Sequence, residues 1–516
     1  MSIPDDVVIT AEAREPVWDP TLGIPVATAW QGKPINRLVA IGDSITQGFA
    51  SGAIYQTDLS YPAIVAYELG WDGLRYPTYG GPGGLPLNIE LLLRVLEERF
   101  GAELSWWELP MALFAARQFA DQVEDYWERG PGSVLPAPSA TNHVLAVYGW
   151  ALRDALDLTA DRCAAEIGQP TDDLVDQIVQ NHSARAALRV LPRATAADRR
   201  STLFDAAVAL GAQTGDDPEY GIETLVIFLG ANNALGTVSQ LRVEWSGPGY
   251  DDLSRNGSFT VWRPTHFIAE LAHVADKVQA IRARHVIWCT VPHVTIAPIA
   301  RGVNGKLAPE SRYFPYYTRP WISDSQFEAG RDPSITGDEA RAVDSAIDQY
   351  NDAITLVVGD ARRQGRDWYL LDIAGVLDRL ASRRYLESPQ ARPSWWRPYP
   401  LPPELAALSP MPDSRFLTGD ASGRRTGGLF SLDGTHPTTV GYGIVAQELI
   451  DIMVRAGVIF YQRDGRTPRT GPVRVDFARL IRRDTLLTRP PTNVTASLDV
   501  LGWADETLDL IRRVIP

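Results

Sequence analysis

The chain has 516 residues, of which 45% are hydrophobic and 22% charged, a composition typical of a globular protein with ample core material. Its formal net charge of −14 at pH 7 argues against a nucleic-acid partner, because phosphate binding requires concentrated lysine and arginine. The longest apolar runs, such as residues 225–229, are far too short to cross a bilayer, so we expect no stable insertion into a membrane.

The cysteines and the N-terminal residues bear on the cellular compartment. Cys163 and Cys289 are the only two cysteines, which excludes a disulfide framework, and no Cys/His cluster has the spacing of a metal site. Residues 1–6 have neither the basic start nor the apolar stretch of a secretory signal. We therefore expect a cytoplasmic protein, provided that no leader has been trimmed.

Five short apolar runs, rich in β-branched residues and each followed by a polar or glycine turn, predict buried parallel strands. They cover residues 38–41, 144–147, 225–229, 286–288 and 368–371. Helical spacing of apolar residues separates them, most clearly over residues 264–283. The alternation predicts an α/β fold in which a doubly wound parallel sheet carries helices on both faces.

Long connections between the predicted strands indicate insertions at the edges of one sheet rather than separate domains. Two are rich in helix formers and two in proline, arginine and aromatic residues, at about residues 85–140, 150–220, 300–340 and 380–428. We predict an N-terminal extension over residues 1–35, the decorated domain over 36–456 and a C-terminal extension over 457–516. The apolar spacing of residues 498–515 predicts a helical stretch that packs on the body or on a second copy, which leaves a homo-oligomer open.

Ser44 follows the first predicted strand in the run Gly42-Asp43-Ser44. A serine there has its hydroxyl at a helix N-terminus, where the dipole and the free N–H groups favour negative charge. That environment suits a nucleophile. An N-cap serine is the structural alternative, and taken alone it is the more common use of serine.

Gly149 and Asn232 follow the second and third predicted strands. An asparagine amide can donate a hydrogen bond to a developing oxyanion, and such a donor contributes about 3 kcal/mol to transition-state binding. A glycine lets a backbone N–H approach a substrate carbonyl closely. The alternatives are an Asx turn for the pair Asn232-Asn233 and a plain turn for Gly149.

Asp433 and His436 have an Asp-x-x-His spacing, which lets a carboxylate reach the imidazole and fix its tautomer, as a catalytic base requires. Pro437 and the apolar spacing that follows predict that the pair lies in a loop opening a terminal helix. A capping aspartate beside a surface histidine is the structural alternative.

The positions of these residues along the chain suggest a common site. Ligands of open α/β sheets bind outside the carboxyl ends of the strands. Ser44, Gly149 and Asn232 fall at three such ends, and His436 follows the fifth predicted strand. We therefore expect a nucleophile, hydrogen-bond donors for an oxyanion and a base to meet at one edge of the sheet.

Together, the four motifs resemble those of the SGNH (GDSL-type) serine hydrolases: Gly42-Asp43-Ser44, Gly149, Gly230-Ala231-Asn232 and Asp433-Gly434-Thr435-His436. The resemblance implies a flavodoxin-like sheet of five parallel strands in the order 2-1-3-4-5. It implies Ser44 as nucleophile and His436 as base, with Asp433 orienting that base. It also implies an oxyanion hole formed by the N–H groups of Ser44 and Gly149 and by the Asn232 amide, with no metal or organic cofactor.

The resemblance covers the strand ends and not the long insertions. Ile45 stands where the family usually has leucine, and Asn233 replaces an aspartate while leaving the Asn232 donor in place. Gly149 lies further from Ser44 along the chain than in compact members. The run of residues 80–84, Gly-Gly-Pro-Gly-Gly, is therefore a rival source of the N–H assigned to Gly149. We prefer Gly149 because it follows a recognisable strand and the glycine-rich run does not.

The expected function is a serine esterase that cleaves a small or lipid-like ester through an acyl-enzyme. An acyltransferase with the same Ser-His-Asp chemistry is the alternative, and a catalytically silent binding protein of the same fold is a third hypothesis. The Gly-x-Ser-x-Gly motif of α/β-hydrolases is absent from the sequence, which disfavours that fold. Aromatic residues of the insertions, including Trp321, Trp395 and Trp396, form either an apolar acyl pocket or the cores of the insertions.

Overall fold

The computed structural model describes residues 3–138, 140–168, 178–494, 499–508 and 510–515. At its centre lie five parallel strands, in chain order Asn36–Gly42, Val144–Ala146, Ile222–Phe228, Ala283–Cys289 and Trp368–Leu371. Numbered along the chain, their spatial order is 2-1-3-4-5. The predicted α/β fold and strand order are therefore confirmed, and each predicted strand overlaps an observed one.

Alternate side chains of the strands face two separate apolar cores, because successive residues of a strand point to opposite faces. In the first strand, Val39 and Ile41 belong to one core, whereas Leu38 and Ala40 belong to the other. Helices that pack on the first core include Leu203–Gly211, Pro264–Gln279 and Gly337–Arg363. Helices that pack on the second include Tyr61–Glu68, Ile373–Leu380 and Thr439–Arg455. Helices thus cover both faces of the sheet, as a doubly wound fold requires.

The insertions flanking the second strand are helical, as the sequence predicts. Their longer helices are Ile89–Phe100, Leu109–Glu128, Leu152–Asp157, Ala160–Glu166 and His182–Val190. Shorter helices elsewhere are Ser44–Gln47, Asn232–Ser239 and Pro403–Ala406. Among the described residues, no helix is both long enough and apolar enough to cross a membrane.

The insertions rich in proline and aromatic residues form small antiparallel sheets. One joins Arg301–Val303, Tyr316–Thr318 and Ile335–Thr336, and another joins Thr418–Asp420 to Gly423–Thr426. A third joins Phe49–Ala50, Ala53–Ile54 and Leu85–Pro86 beside the first strand of the central sheet. The predicted aromatic residues fill local cores, since Trp321 is buried near Phe416 while Trp395 and Trp396 surround Tyr385.

The C-terminal segment packs on the body of the molecule. Its helices are Phe477–Arg483, Thr485–Thr488, Asp499–Leu508 and Leu510–Val514. Phe477 and Leu480 lie against Gly443 of the helix Thr439–Arg455, and Val514 lies against Gly52. The helical stretch predicted over residues 498–515 is observed as two helices, with residue 498 outside the described part of the chain.

Candidate active site

Ser44 begins the short helix Ser44–Gln47 directly after the first strand. Asp43 is the N-cap of this helix, and its carboxylate accepts a hydrogen bond from the Ile45 N–H at 3.1 Å. A Cβ at Gly42 would lie 1.9 Å from Thr46 Oγ1 and 2.9 Å from Phe228 O, so only glycine permits this tight turn. The capping alternative for Ser44 is thus wrong, and its hydroxyl is available for another partner.

The hydroxyl of Ser44 meets His436, although the two residues are 392 positions apart in the chain. His436 Nε2 lies 2.8 Å from Ser44 Oγ, and His436 Nδ1 lies 3.0 Å from Asp433 Oδ2. Ser44, Asp433 and His436 are 3%, 0% and 1% exposed, respectively. With the proton on Nδ1, the imidazole donates to Asp433 and accepts from the serine hydroxyl, which is the arrangement of a serine–histidine–aspartate triad.

The imidazole of His436 and several hydrogen bonds lower the pKa of Asp433. One carboxylate oxygen accepts from the backbone N–H groups of Thr435 and His436 at 2.9 and 2.8 Å, and the other accepts from the Gly52 N–H at 3.1 Å and from the imidazole. Burial alone would raise the pKa of Asp433, but the imidazole and these hydrogen bonds hold it below its usual value. The group is therefore a carboxylate at neutral pH and can stabilise a cationic imidazole.

A loop that the sequence analysis missed holds the Asp433–His436 turn in place. Besides the Gly52 bond, the Ser51 N–H donates to Ser431 Oγ at 2.8 Å, and the Leu432 N–H donates to Ser51 Oγ at 3.3 Å. Ser51 and Gly52 both have positive φ, 51° and 79°. The sequence offers one weak signal, the Ser-Gly pair itself, and nothing that indicates a partner about 380 positions away.

The two strands that flank the first strand carry Gly149 and Asn232. Gly42 pairs with Ala146 on one side and with Phe228 on the other, so the loops after all three strands begin at the same level of the sheet. Gly149 has φ of 80°, in the left-handed region that favours glycine. Gly149 therefore lies on the loop after one neighbouring strand, and Asn232 begins the helix that follows the other.

Asn232 and Asn233 both bind the loop after the second strand. The Asn232 amide donates to Trp150 O at 2.9 Å through one of its two N–H bonds, while Asn233 Oδ1 accepts from the Leu152 N–H at 3.2 Å. These contacts reach more than 80 positions back along the chain, so the side chains are not engaged in local Asx turns. The second N–H of the Asn232 amide is left for another acceptor.

Gln47 links the Ser44 helix to the same loop and was also missed by the sequence analysis. Its Oε1 accepts from the Tyr148 N–H at 2.8 Å, and its Nε2 donates to the Tyr79 hydroxyl at 2.8 Å. Within the described residues, the backbone N–H groups of Ser44 and Gly149 have no protein acceptor. They thus satisfy one requirement of donors to an oxyanion.

The rival run at residues 80–84 has packing contacts of its own. Gly81 lies against the ring of Tyr126, and the Gly84 carbonyl accepts from Trp127 Nε1 at 2.7 Å. A Cβ at Gly84 would lie 2.1 Å from Ile54 O. These contacts explain the glycines of the run by the close approach of other groups.

An apolar cavity with a volume of about 120 Å³ lies beside Ser44 and His436. Its walls come from the helices Asn232–Ser239, Ile373–Leu380 and Thr439–Arg455, from the loop of residues 292–297 and from Phe228, Leu429 and Phe430. None of the three tryptophans singled out in the sequence lines it. The cavity can therefore accept an apolar group next to the serine hydroxyl.

No protein-family model matches the chain. No curated protein matches it significantly either. The chemistry of the site is consequently inferred from its own geometry.

Proposed function

We propose that the protein is a serine hydrolase that cleaves carboxylic esters. The observation that carries the proposal is the continuous hydrogen-bonded chain from Ser44 Oγ through His436 to Asp433, with distances of 2.8 and 3.0 Å. His436 takes the hydroxyl proton as Ser44 Oγ attacks the ester carbonyl, and Asp433 stabilises the resulting imidazolium. His436 then protonates the departing alcohol, and a water molecule activated by the same imidazole releases the acid.

Negative charge on the tetrahedral intermediate needs donors that are already in place. The Ser44 and Gly149 N–H groups and the second N–H of the Asn232 amide are the candidates. Two observations support these three groups as the donors. They follow three adjacent strands of the sheet, and Gln47 and Asn232 form hydrogen bonds to the loop that carries Gly149. None of these steps requires a metal or an organic cofactor.

We assign the protein to the SGNH type of serine hydrolase as part of the same proposal. The motif order in the sequence and the five-stranded sheet of order 2-1-3-4-5 both agree with what the resemblance implies. Asn233 supports the assignment because its side-chain oxygen accepts from the Leu152 N–H, a role that the family's aspartate at this position could also fill. The long insertions distinguish this chain from compact members.

The apolar cavity supports an ester with an aliphatic acyl group as the substrate. Leu235, Val376, Leu377 and Ile444 are among its lining residues, and these side chains favour hydrocarbon over polar groups. A lipid-like or aryl ester of a fatty acid meets this requirement. The acyl chain would lie in the cavity while the carbonyl carbon faces Ser44.

An acyltransferase remains the second candidate because Ser44 is only 3% exposed and lies beside an apolar cavity. Limited access for water favours transfer of the acyl group to an alcohol or amine over hydrolysis. The two reactions share every step up to the acyl-enzyme. Product analysis with and without an added alcohol acceptor separates them, since a hydrolase yields free acid in both cases.

Substitution of Ser44 by alanine tests the proposal directly. We expect Ser44→Ala to lower kcat for a p-nitrophenyl ester by about 10⁴- to 10⁶-fold, because the nucleophile is removed. A fluorophosphonate should label the wild type at Ser44 and leave the variant unlabelled.

The matched control is Ser133→Ala, at an exposed serine whose hydroxyl bonds only to the nearby Gly130 carbonyl. It should retain both turnover and labelling. Unchanged turnover in Ser44→Ala, or labelling of a different residue, would refute the proposal.

A further inference from the structure

A second cavity, with a volume of about 180 Å³, is lined by five arginines. They are Arg301, Arg312, Arg383, Arg384 and Arg415. The remaining walls come from the small sheet containing Arg301–Val303 and Tyr316–Thr318 and from residues near Ser414 and Phe416. So much positive charge around one cavity is unexpected in a chain with a net charge of −14.

Three of these arginines are neutralised by carboxylates of the protein. Arg384 binds Asp344 at 2.6 Å, deep in the interior. Arg301 pairs with Asp324 at 2.5 Å, and Arg415 pairs with Asp413 at 2.6 Å, both closer to the surface. These pairs account for part of the charge and leave the other two arginines to be explained.

Arg312 and Arg383 form no ion pair within the described part of the chain. Arg312 is only 8% exposed, and its Nε has no hydrogen-bond partner among the described residues. Arg383 donates one guanidinium N–H to Gly302 O at 2.8 Å, while its Nε is likewise unpartnered. Arg312 lies 5.1 Å from the Tyr313 ring and near Asp344, which Arg384 already binds, so it has no carboxylate of its own within the described residues.

Lys306 adds a further cation beside Arg312 and Arg384. The Lys306 ammonium donates to the backbone carbonyls of Arg312 and Arg384 at 3.0 and 3.3 Å and has no carboxylate partner among the described residues. Burial, together with the nearby Arg384 and Arg383, lowers the pKa of Lys306 to about 7. An anion in the cavity would relieve this repulsion.

We propose that the cavity is a binding site for a small oxyanion, a phosphate, sulfate or carboxylate group held by Arg312 and Arg383. A guanidinium presents its N–H groups as a planar fork that matches the oxygens of such groups, and hydrogen bonds between ions are stronger than neutral ones. The ligand supplies negative charge and accepts hydrogen bonds from the two guanidinium groups. Arg312 and Arg383 are its binding residues.

The oxyanion site adjoins the candidate active site. Ser414 lines both cavities, and residues 294–297 form a common wall, with Val294 and Ala297 facing the apolar cavity and Thr295 and Ile296 facing the arginines. Phe416, which lines the oxyanion site, also packs against Gly434 in the turn that holds Asp433 and His436. The anion is therefore either part of the ester substrate or a free ion that acts on the turn, and this link to catalysis rests on the proposed function.

Calorimetric titration of the intact protein with sodium sulfate and sodium phosphate tests the binding site. The buffer contains chloride at matched ionic strength, so that general screening is equal in all titrations. We expect saturable binding at one site, also in Ser44→Ala, since no turnover is involved. A lack of saturable binding in the wild type would overturn the proposal whatever the esterase assays show.

Substitutions locate the site. Arg312→Gln and Arg383→Gln should each weaken sulfate binding by roughly tenfold or more, the size expected for loss of one ionic hydrogen-bonding partner. Arg425→Gln is the matched control, because Arg425 is an exposed arginine that pairs with Asp420 in the neighbouring hairpin. Circular dichroism checks that each variant is folded. If either variant is folded and binds sulfate as tightly as the wild type, the assignment of Arg312 and Arg383 as binding residues is contradicted.

Kinetics with paired esters distinguish the two sources of the anion. Suppose that the anion belongs to the substrate. The wild type should then turn over a p-nitrophenyl ester whose acyl chain ends in a carboxylate faster than the analogue in which that carboxylate is a methyl ester. Arg312→Gln should lose this preference and keep its turnover of the neutral ester. If it is a free ion, sulfate should change kcat/KM for the neutral ester in the wild type and not in Arg312→Gln. Binding without either kinetic effect would support the site and refute its link to catalysis.

Discussion

Two buried aspartates, Asp43 and Asp433, show how neighbouring groups set the charge of a carboxyl group. Asp43 and Asp433 are both fully buried. Asp433 accepts from three backbone N–H groups and an imidazole, and its pKa is held below the usual value. Asp43 accepts from the Ile45 N–H, its Oδ2 has no partner among the described residues, and burial raises its pKa to about 7. The close imidazole and the additional hydrogen bonds of Asp433 favour its charged form, whereas burial dominates at Asp43.

The raised pKa of Asp43 gives the wild type a pH-dependent stability. Between the ordinary pKa of about 3.8 and the folded value of about 7, the unfolded chain loses the Asp43 proton while the folded protein keeps it. Stability from this group therefore falls as pH rises through that window, by up to about 1.4 kcal/mol per pH unit. Asp43→Asn removes this titration and keeps a capping side chain.

We expect the free energy of unfolding of Asp43→Asn, minus that of the wild type, to increase from pH 4 to pH 7 and to level off above it. Urea denaturation followed by fluorescence at each pH measures this difference. The measurement at pH 4 is the internal control, since the carboxyl is mostly protonated in the folded protein there. A difference that stays constant across the range would show that Asp43 is ionised in the fold.

At the scale of elements, the helix Ile373–Leu380 has a role beyond packing on the sheet. Ile373, Val376, Leu377 and Leu380 recur at the spacing of one helix face, and all four line the apolar cavity beside Ser44. An apolar face of this kind normally contacts another element. Here part of it remains open to the cavity, which makes this helix the element expected to determine acyl-chain preference.

Leu377→Trp tests this role of the helix. The larger side chain should fill part of the cavity and lower kcat/KM for a long-chain p-nitrophenyl ester by about tenfold or more, while turnover of the acetate ester changes little. Leu356→Trp is the matched control, since Leu356 is 61% exposed on the helix Gly337–Arg363. A chain-length profile identical to that of the wild type would exclude the cavity as the acyl site.

At the scale of the whole molecule, the last helix of the chain supports the candidate active site. Val514 is fully buried and packs against Gly52, whose N–H donates to Asp433. Ile511 and Ile515 join the core that also contains Ile41 of the first strand. The C-terminal segment thus packs against the loop that binds Asp433, rather than lying apart from it.

Truncation of Val514 to alanine should therefore affect both stability and activity. Loss of the buried methyl groups should lower the free energy of unfolding by about 2 kcal/mol. Movement of the Gly52 loop should also lower kcat. Val454→Ala provides the same change at a valine that is 47% exposed on the helix Thr439–Arg455, where we expect an effect within about 0.5 kcal/mol. Equal melting temperatures and kcat in the two variants would contradict this dependence on the C-terminal helix.

The fold could be predicted largely from local patterns. Buried strands such as Ile222–Phe228 are continuous apolar runs, and amphipathic helices such as Pro264–Gln279 repeat their apolar residues with the helical period, so both leave a signature within a few residues. The Asp433–His436 contact is equally local, since its partners are three positions apart. Helix boundaries were less accurate, because the predicted end at residue 283 belongs to the fourth strand, which begins there.

The sequence by itself determined the central sheet, its helical layers and the residue types needed for a triad, because apolar periodicity and short motifs are encoded by neighbours in the chain. Only the tertiary structure decided that Ser44 Oγ meets His436 Nε2, that Ser51 and Gly52 hold the Asp433–His436 turn, and that five arginines surround one cavity. Most of these contacts join residues from distant parts of the chain. Their pairing depends on how the sheet and its insertions pack as a whole, and no local pattern records it.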